Sequence, residues 1–192
     1  MLTIKGVIAR GFMYLCRIFP ITNKVVFSSF DGKNFGDDPK AIFDEMIKQG
    51  IETEYIWLLD DIKFDVPENV KLVKAFSILA IYHLATAKVW VDNCRKHAWT
   101  VKRKGQYYIQ TWHSSVGGVG IKKVEKDAED FLPKPYIEAA INDSKMADLF
   151  ISGSAWITQY YKDAFWYSGK ILECGNPVAD NYFKNVDAAR KR

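Results

Sequence analysis

The sequence predicts an α/β fold: a Rossmann-like, mostly parallel sheet with helices on both faces, preceded by an amphipathic helix. From Asn23 onward, short β-rich runs alternate with helix-period patterns, and strands joined through helices pair in parallel. At 48% hydrophobic and 15% aromatic, 192 residues can bury one substantial core. Repeats, low-complexity tracts and clear internal linkers are absent from the sequence. The organisation read from this is a basic amphipathic helix over residues 1–21 and one domain over residues 22–192.

The elements follow in order. In "LTIKGVIARGFMYLCRIFPI", Ile4, Ile8, Leu15 and Ile18 share one helix face, and Arg10 and Arg17 lie on the other side. Lys5, Arg10 and Arg17 interrupt the apolar run, so it is a poor spanning segment, and no small-residue cleavage site follows it. Such a helix either lies in an anionic membrane interface or packs its stripe on the protein's own body or on a partner. "KVVFSSF" reads as a strand and "DGKNFGDD" as a loop, with Asp38 as the expected cap of a helix that starts at Pro39 and ends at Gly50. "TEYIWLLD" and "VKLVKAF" are strands, followed by the helix "SILAIYHLATA". "KVWVDN" and "YYIQTW" are strands joined by the basic loop "CRKHAWTVKRKG". Helical segments run from about Val124 to Lys145, broken at Pro133 and Pro135. "DLFISGS" is a strand, Ser154 caps the helix "AWITQYYKDAFWY", "KILECG" is the last strand, and "NPVADNYFKN" starts a further helix.

Charge and cysteines exclude several classes. Six cations stand at the two ends (Lys5, Arg10, Arg17, Arg190, Lys191 and Arg192) and exceed the net charge of +4. The body is therefore close to neutral, which argues against a nucleic-acid partner. Cys16, Cys94 and Cys174 show no zinc or redox spacing and suit reduced thiols. No metal-ligand spacing and no serine triad is visible, and the G-x-G-x-x-G fingerprint of a dinucleotide-binding oxidoreductase is missing.

The chemistry concentrates in "QYYIQTWHSSVGGVGIKK". His113 falls where a strand runs out, the position that faces the ligand crevice of a parallel sheet. Ser114, Ser115, Gly117 and Gly118 allow a sharp turn that exposes backbone N–H groups, and Lys122 and Lys123 follow near a helix start. Loop N–H groups, a helix N-terminus and lysines suit a phosphate, and an imidazole beside them can take a proton from an attacking hydroxyl. The plain alternative is a structural histidine, a common glycine turn and a solvated lysine pair. Asp31, Asn34 and Asp37 in the first loop either hold polyol hydroxyls or only shape the turn. His83 reads as a packed or hydrogen-bonded core side chain, and His97, in the basic loop, as part of a polyanion-attracting patch or a solvated charge run.

Four blocks in order, "VVFSSFDGKNFGDDPKAIFDEM", "YYIQTWHSSVGGVGIKK", "AAINDSKMADLFISGS" and "ILECGNPVAD", resemble the CDP-glycerol glycerophosphotransferases, the teichoic-acid primases and polymerases of bacterial cell walls. The resemblance covers about Asn23 to Phe183. It implies one half of a GT-B-like fold and transfer of glycerol phosphate from CDP-glycerol to a lipid-linked polyol phosphate acceptor, releasing CMP, with no separate cofactor. It implies His113, in the Trp-His motif, as general base, and a peripheral place on the cytoplasmic face of the membrane. Two positions depart from the family pattern: Ser114 stands where glycine is frequent, and Val178 follows Pro177 where arginine is usual. The family's nucleotide-binding half, with a second catalytic histidine, would follow these residues. This chain is therefore expected to act as an acceptor-side half, needing a separate C-terminal half or an oligomeric arrangement for turnover. The alternative function is a non-catalytic membrane-surface module that binds anionic polymer or lipid.

Overall fold

Seven parallel strands form one sheet in the order β3-β2-β1-β4-β5-β6-β7 in the computed structural model, which describes residues 2–113 and 132–184. The strands are β1 (Thr22–Ser28), β2 (Glu54–Leu59), β3 (Val70–Lys74), β4 (Ala87–Asp92), β5 (Tyr107–Gln110), β6 (Leu149–Ser152) and β7 (Lys170–Glu173). The helices are α1 (Ile4–Leu15), α2 (Asp37–Lys48), α3 (Ile78–Thr86), α4 (Lys134–Met146), α5 (Ala155–Ala164) and α6 (Asp180–Lys184). The strand order reverses between β1 and β4. In a doubly wound sheet, the crevice beyond the carboxyl ends of those two strands is where ligands bind.

Alternation along the strands splits the core in two. Val26, Ile56, Trp90, Tyr108 and Phe150 face α1, α3 and α5 on one side. Val25, Phe27, Tyr55, Trp57 and Val91 face the other side, where Phe43 of α2 is buried with them. The aromatic content has a visible use here. Phe27, Phe43, Tyr55 and Trp57 stack or meet edge-to-face at centroid distances of 5.4–6.5 Å.

Local signals behave as their chemistry dictates at Ser77 and Ser154, whose hydroxyls accept from Ala80 N–H and Ile157 N–H at their helix starts. Asp38 is a correction. The helix begins at Asp37 with Gly36 as its N-cap, and no side chain caps it. Asp38 is instead buried, and its Oδ1 accepts from the Val178 N–H at 2.8 Å, tying the start of α2 to the chain after β7. Burial, partly offset by that bond, raises its pKa to about 6.

The amphipathic helix takes one of its two expected orientations. The apolar stripe does not pack on the body: Ile4 and Ile18 are 82% and 74% exposed, and Ile8 and Leu15 face solvent with them. Gly6, Met13 and Cys16 are buried instead. Arg10 donates to the carbonyls of Ala98 and Trp99, and Arg17 to that of Lys102 at 3.5 Å. The cationic side holds the helix to the protein and the apolar side is left outward. Among the described residues, no helix is long and apolar enough to cross a membrane.

His83 on α3 is buried at 2% exposure, and neither ring nitrogen has a hydrogen-bond partner among the described residues. Burial first, then Lys24 and Lys71, lowers its pKa from 6.5 to about 4. The unfolded chain therefore binds the proton more readily, and this group's contribution to stability is complete above pH 6.5 and is lost as pH falls towards 4. In urea denaturation, the His83→Leu variant is expected to gain about 2–3 kcal/mol on the wild type between pH 7 and pH 4. A pH-independent difference would show that His83 does not carry this loss.

Candidate functional site

Three strand ends converge on one residue. Asn93, immediately after β4, is fully buried. Its side-chain Oδ1 accepts from Phe30 N–H at 2.8 Å, and its Nδ2 donates to Ser29 Oγ at 3.2 Å and Asp37 Oδ2 at 2.5 Å. Its backbone carbonyl accepts from His113 Nδ1 at 2.6 Å. The loop after β1, the end of β4 and the residue after β5 are therefore joined through one side chain and its own peptide.

The backbone at these ends is strained. Phe30, Asp31, Asp37, Phe76 and Trp112 all have positive φ, between 49° and 62°, which non-glycine residues rarely adopt. Four of them follow the carboxyl ends of β1, β3 and β5 directly. Gly32 continues the first loop at φ 90°, where an added Cβ would stand 2.8 Å from that of Ala75.

The turn at Trp112 explains how His113 reaches solvent. Thr111 N–H donates to the Asp92 carbonyl at 2.9 Å, prolonging the strand pairing, and Trp112 N–H donates to Gln110 Oε1 at 2.9 Å. Trp112 is 8% exposed, its ring edge-to-face with Phe165 at 4.7 Å and under the Arg95 guanidinium at 5.1 Å. With the indole held inside, the left-handed turn delivers the next side chain, His113, to the exposed rim. There its ring meets Phe30 edge-to-face at 5.4 Å.

His113 lines a cleft of about 460 Å³ together with Asp31, Cys94, Arg95, Lys96, His97, Ala98, Trp112, Tyr136, Ala139 and Ala140. A carbonyl can only accept, so Nδ1 carries the proton and Nε2 keeps the lone pair. Nε2 makes no hydrogen bond among the described residues. The arrangement aims one ring nitrogen for proton acceptance, with the position of the N–H fixed by the fold. Cys94 Sγ lies 3.8 Å from His113 Nδ1, but burial, then Asp92 and Asp31, pushes the thiol up to about 12, so it is no thiolate nucleophile.

The basic loop departs from its expectation as a solvated run. Lys96 Nζ pairs with Asp92 at 2.5 Å and Arg95 Nη1 with Asp143 at 3.3 Å, with Lys96 and both acids buried and Arg95 nearly so. Lys102 pairs with Asp148, and Arg103 donates to the carbonyls of Phe19 and Ala85. His97 remains half-exposed on the cleft wall, 3.8 Å from Asp31, stacked on Trp99 and edge-to-face with Phe76.

Of the sequence-predicted site residues, His113 and Asp31 come together in the cleft. Asn34 does not line it; it is exposed in the loop, with its carboxamide beside Gly36. Ser114, Ser115, Gly117, Gly118, Lys122 and Lys123 lie outside the described residues. Sequence reasoning missed Asn93 and Phe30, and took Trp112 only as part of the Trp-His motif. Asn93 carried one usable signal, an amide ending an otherwise apolar strand at the carboxyl edge.

Comparison with known proteins adds an independent line. The family model for the CDP-glycerol:poly(glycerophosphate) glycerophosphotransferases matches residues 12–192. A teichoic acid poly(glycerol phosphate) polymerase of Bacillus spizizenii is 31% identical over 165 residues, covering 81% of this chain and 41% of that protein. A teichoic acid glycerol-phosphate transferase of Staphylococcus aureus is 30% identical over 169 residues, covering 84% and 42%. A variant of the wall teichoic acid polymerase TagF superposes with a TM-score of 0.79 at 27% identity, covering 97% of this chain and 48% of that one. Another TagF structure, soaked with CDPG, gives 0.78. The chain thus spans about half, or less, of the length of these relatives.

Removing the Asn93 side chain is expected to strand the Phe30 N–H and Asp37 carboxylate. Asn93→Ala should cost about 2–3 kcal/mol in chemical denaturation. In the wild type, long-range ¹H–¹⁵N spectra above pH 8 should show His113 as the Nδ1–H tautomer; an Nε2–H tautomer would contradict the hydrogen-bond assignment.

Proposed function

We propose that this chain, a member of the CDP-glycerol:poly(glycerophosphate) glycerophosphotransferase family, forms the acceptor side of a glycerophosphotransferase in teichoic acid or related cell-wall polymer synthesis. The observation that carries the reading is the His113 imidazole on the cleft wall, its Nδ1–H held by the Asn93 carbonyl and its Nε2 left basic. The donor is CDP-glycerol and the acceptor a lipid-linked polyol phosphate. Nε2 takes the proton of an acceptor hydroxyl as that oxygen forms its bond to the glycerol-bearing phosphorus. The bond from phosphorus to the CMP oxygen breaks, and CMP leaves with the electron pair.

His97 and Asp31 stand at the mouth of the cleft and contact the incoming polyol chain. Ser114, Ser115, Gly117, Gly118, Lys122 and Lys123 contribute N–H groups and cations to the phosphates. The donor nucleotide is held by a second domain, so turnover belongs to the two-domain arrangement. Asn93, Trp112 and Gln110 act as positioning residues, since they hold the imidazole rather than touch substrate.

The outward stripe of α1 supports a peripheral site of action at the cytoplasmic face of the membrane. Ile4, Val7, Ile8, Leu15 and Ile18 present a row of apolar side chains to solvent, with Lys5 among them. Such a row suits insertion at the headgroup boundary of an anionic bilayer.

Two measurements test the reading. In the complete enzyme, His113→Ala should lower kcat for CMP release by about 10²–10⁴ with KM for CDP-glycerol little changed; undiminished turnover would remove His113 from the mechanism. In flotation with phosphatidylglycerol vesicles, Ile4→Asp combined with Ile8→Asp should reduce bound protein at least about tenfold with the fold intact. Equal flotation would reject α1 as the membrane contact.

A further inference from the structure

We propose that a second groove, between the start of α1 and the start of α4, carries the stem of the lipid-anchored acceptor into the His113 cleft. The inference rests on the acceptor-side reading above and assigns the route by which that substrate arrives.

The groove measures about 360 Å³ and is lined by Leu2, Arg10, Ala98, Pro135, Glu138 and Asn142. Ala98 also lines the His113 cleft, so the two hollows meet at this residue. Helix α4 walls both. Tyr136, Ala139 and Ala140 face the cleft, while Pro135, Glu138 and Asn142 face the groove. Spacings of three and four put each set on one stripe, and the two stripes are neighbours on the same helix. A chain leaving the cleft past Ala98 therefore enters the groove without crossing a helix.

The opposite wall belongs to the N-terminal segment. Leu2 and Arg10 face the groove, whereas Ile4, Val7 and Ile8 of the same segment are exposed on its outer side. The groove thus runs along a helix whose outer face is apolar. A ligand tethered in a bilayer under that face meets the groove before it meets the cleft, which favours an anchored acceptor over a free polymer.

The lining chemistry matches a polyol phosphate. Arg10 spends its Nε and one terminal nitrogen on the carbonyls of Trp99 and Ala98, and a guanidinium has five N–H donors, so among the described residues about three remain for a phosphate oxygen. Asn142 offers its carboxamide oxygen to hydroxyls, and Leu2 and Pro135 offer apolar contact to methylenes. Arg10 has a second effect: its bonds fix the Ala98–Trp99 backbone, the saddle between the two hollows.

The test uses this chain with a glycerol phosphate trimer in two forms. One is water-soluble; the other carries a lipid anchor in phosphatidylglycerol vesicles and a diazirine on the glycerol nearest the lipid. The anchored form should leave adducts within residues 2–10 and 135–142. Glu138→Trp, at an exposed position, should remove those adducts and weaken the anchored trimer at least tenfold. It should change the affinity of the soluble trimer, read from the His113 imidazole signals, less than twofold. If the anchored trimer shifts the His113 signals but its adducts map elsewhere, or Glu138→Trp has no effect on it, the groove is not the route and the acceptor reading stands. If neither trimer shifts the His113 signals, the acceptor reading fails and this inference falls with it.

Discussion

The buried carboxamide of Asn93 is the constraint on which the cleft depends. A parallel sheet leaves the carboxyl ends of its strands without partners of their own, and the loops that leave them must be tied by something else. Here one side chain closes the Phe30 N–H, reaches Ser29 and Asp37, and stands beside the carbonyl that holds His113. A buried amide is costly unless its polar atoms are matched, and this one is matched on both oxygen and nitrogen. The ties also bear on why Phe30, Asp31 and Asp37 remain at positive φ. Each such conformation costs of order 1–3 kcal/mol and persists only where its surroundings over-determine it. Strain gathered at strand ends beside a cleft, and held by a satisfied polar side chain, is a preorganised site rather than a loose loop.

Beneath the cleft lies a second polar layer. Arg95 with Asp143 and Lys96 with Asp92 are buried pairs, and Tyr108 O–H donates to Asp143 while Gln110 Nε2 donates to Tyr108. Burial raises the pKa of Asp143 to about 6 despite Arg95, and raises that of Asp92 despite Lys96. Ion pairs placed this way add little net stability, because desolvation consumes most of the attraction. Their effect is geometric: the loop after β4 is locked to α4, and Arg95 is locked above Trp112 and Phe165. The wall of the cleft is built from charges turned inward, with His97, His113 and Asp31 among the side chains that face outward.

Much of the fold was legible because it rests on local rules. Strand periodicity, the serine caps at Ser77 and Ser154, and Gly50 at φ 66° after α2 are consequences of residues near one another in sequence. The errors share the opposite property. Asp38 has the chemistry of a cap, but its oxygen is taken by Val178, distant in sequence, as the chain returns after β7. The basic loop has the composition of a solvated run, but acids on β4 and α4 claim Arg95 and Lys96. Asn93 has an ordinary identity, and its importance comes from three loops that meet only when β4 lies beside β1 and β5. His113 could be singled out because histidine at a strand end is conspicuous; what makes it basic at Nε2 is a carbonyl that only the fold brings near.

The N-terminal helix shows how an amphipathic pattern fixes periodicity without fixing direction. Its hydrophobic stripe has the spacing of a core-facing helix, and burial would ordinarily drive that stripe inward. Instead, docking is made by Met13 and Cys16 in the core, by Gly6, and by two arginines bonded to carbonyls of the loop between β4 and β5. Carbonyl acceptors suit guanidinium donors and offer nothing to isoleucine, so the loop selects the cationic face. The apolar face is then left with no protein to cover it among the described residues. Leaving Ile4, Ile8, Leu15 and Ile18 in water forgoes a favourable burial term for each side chain. A surface of that kind is stable in a folded protein only at the expense of solubility, and it is relieved when an apolar phase or partner takes the stripe. The same arginines that turn the stripe outward also brace the loop carrying His97 and Ala98. The helix's outer contact and the geometry of the cleft wall are therefore mechanically joined.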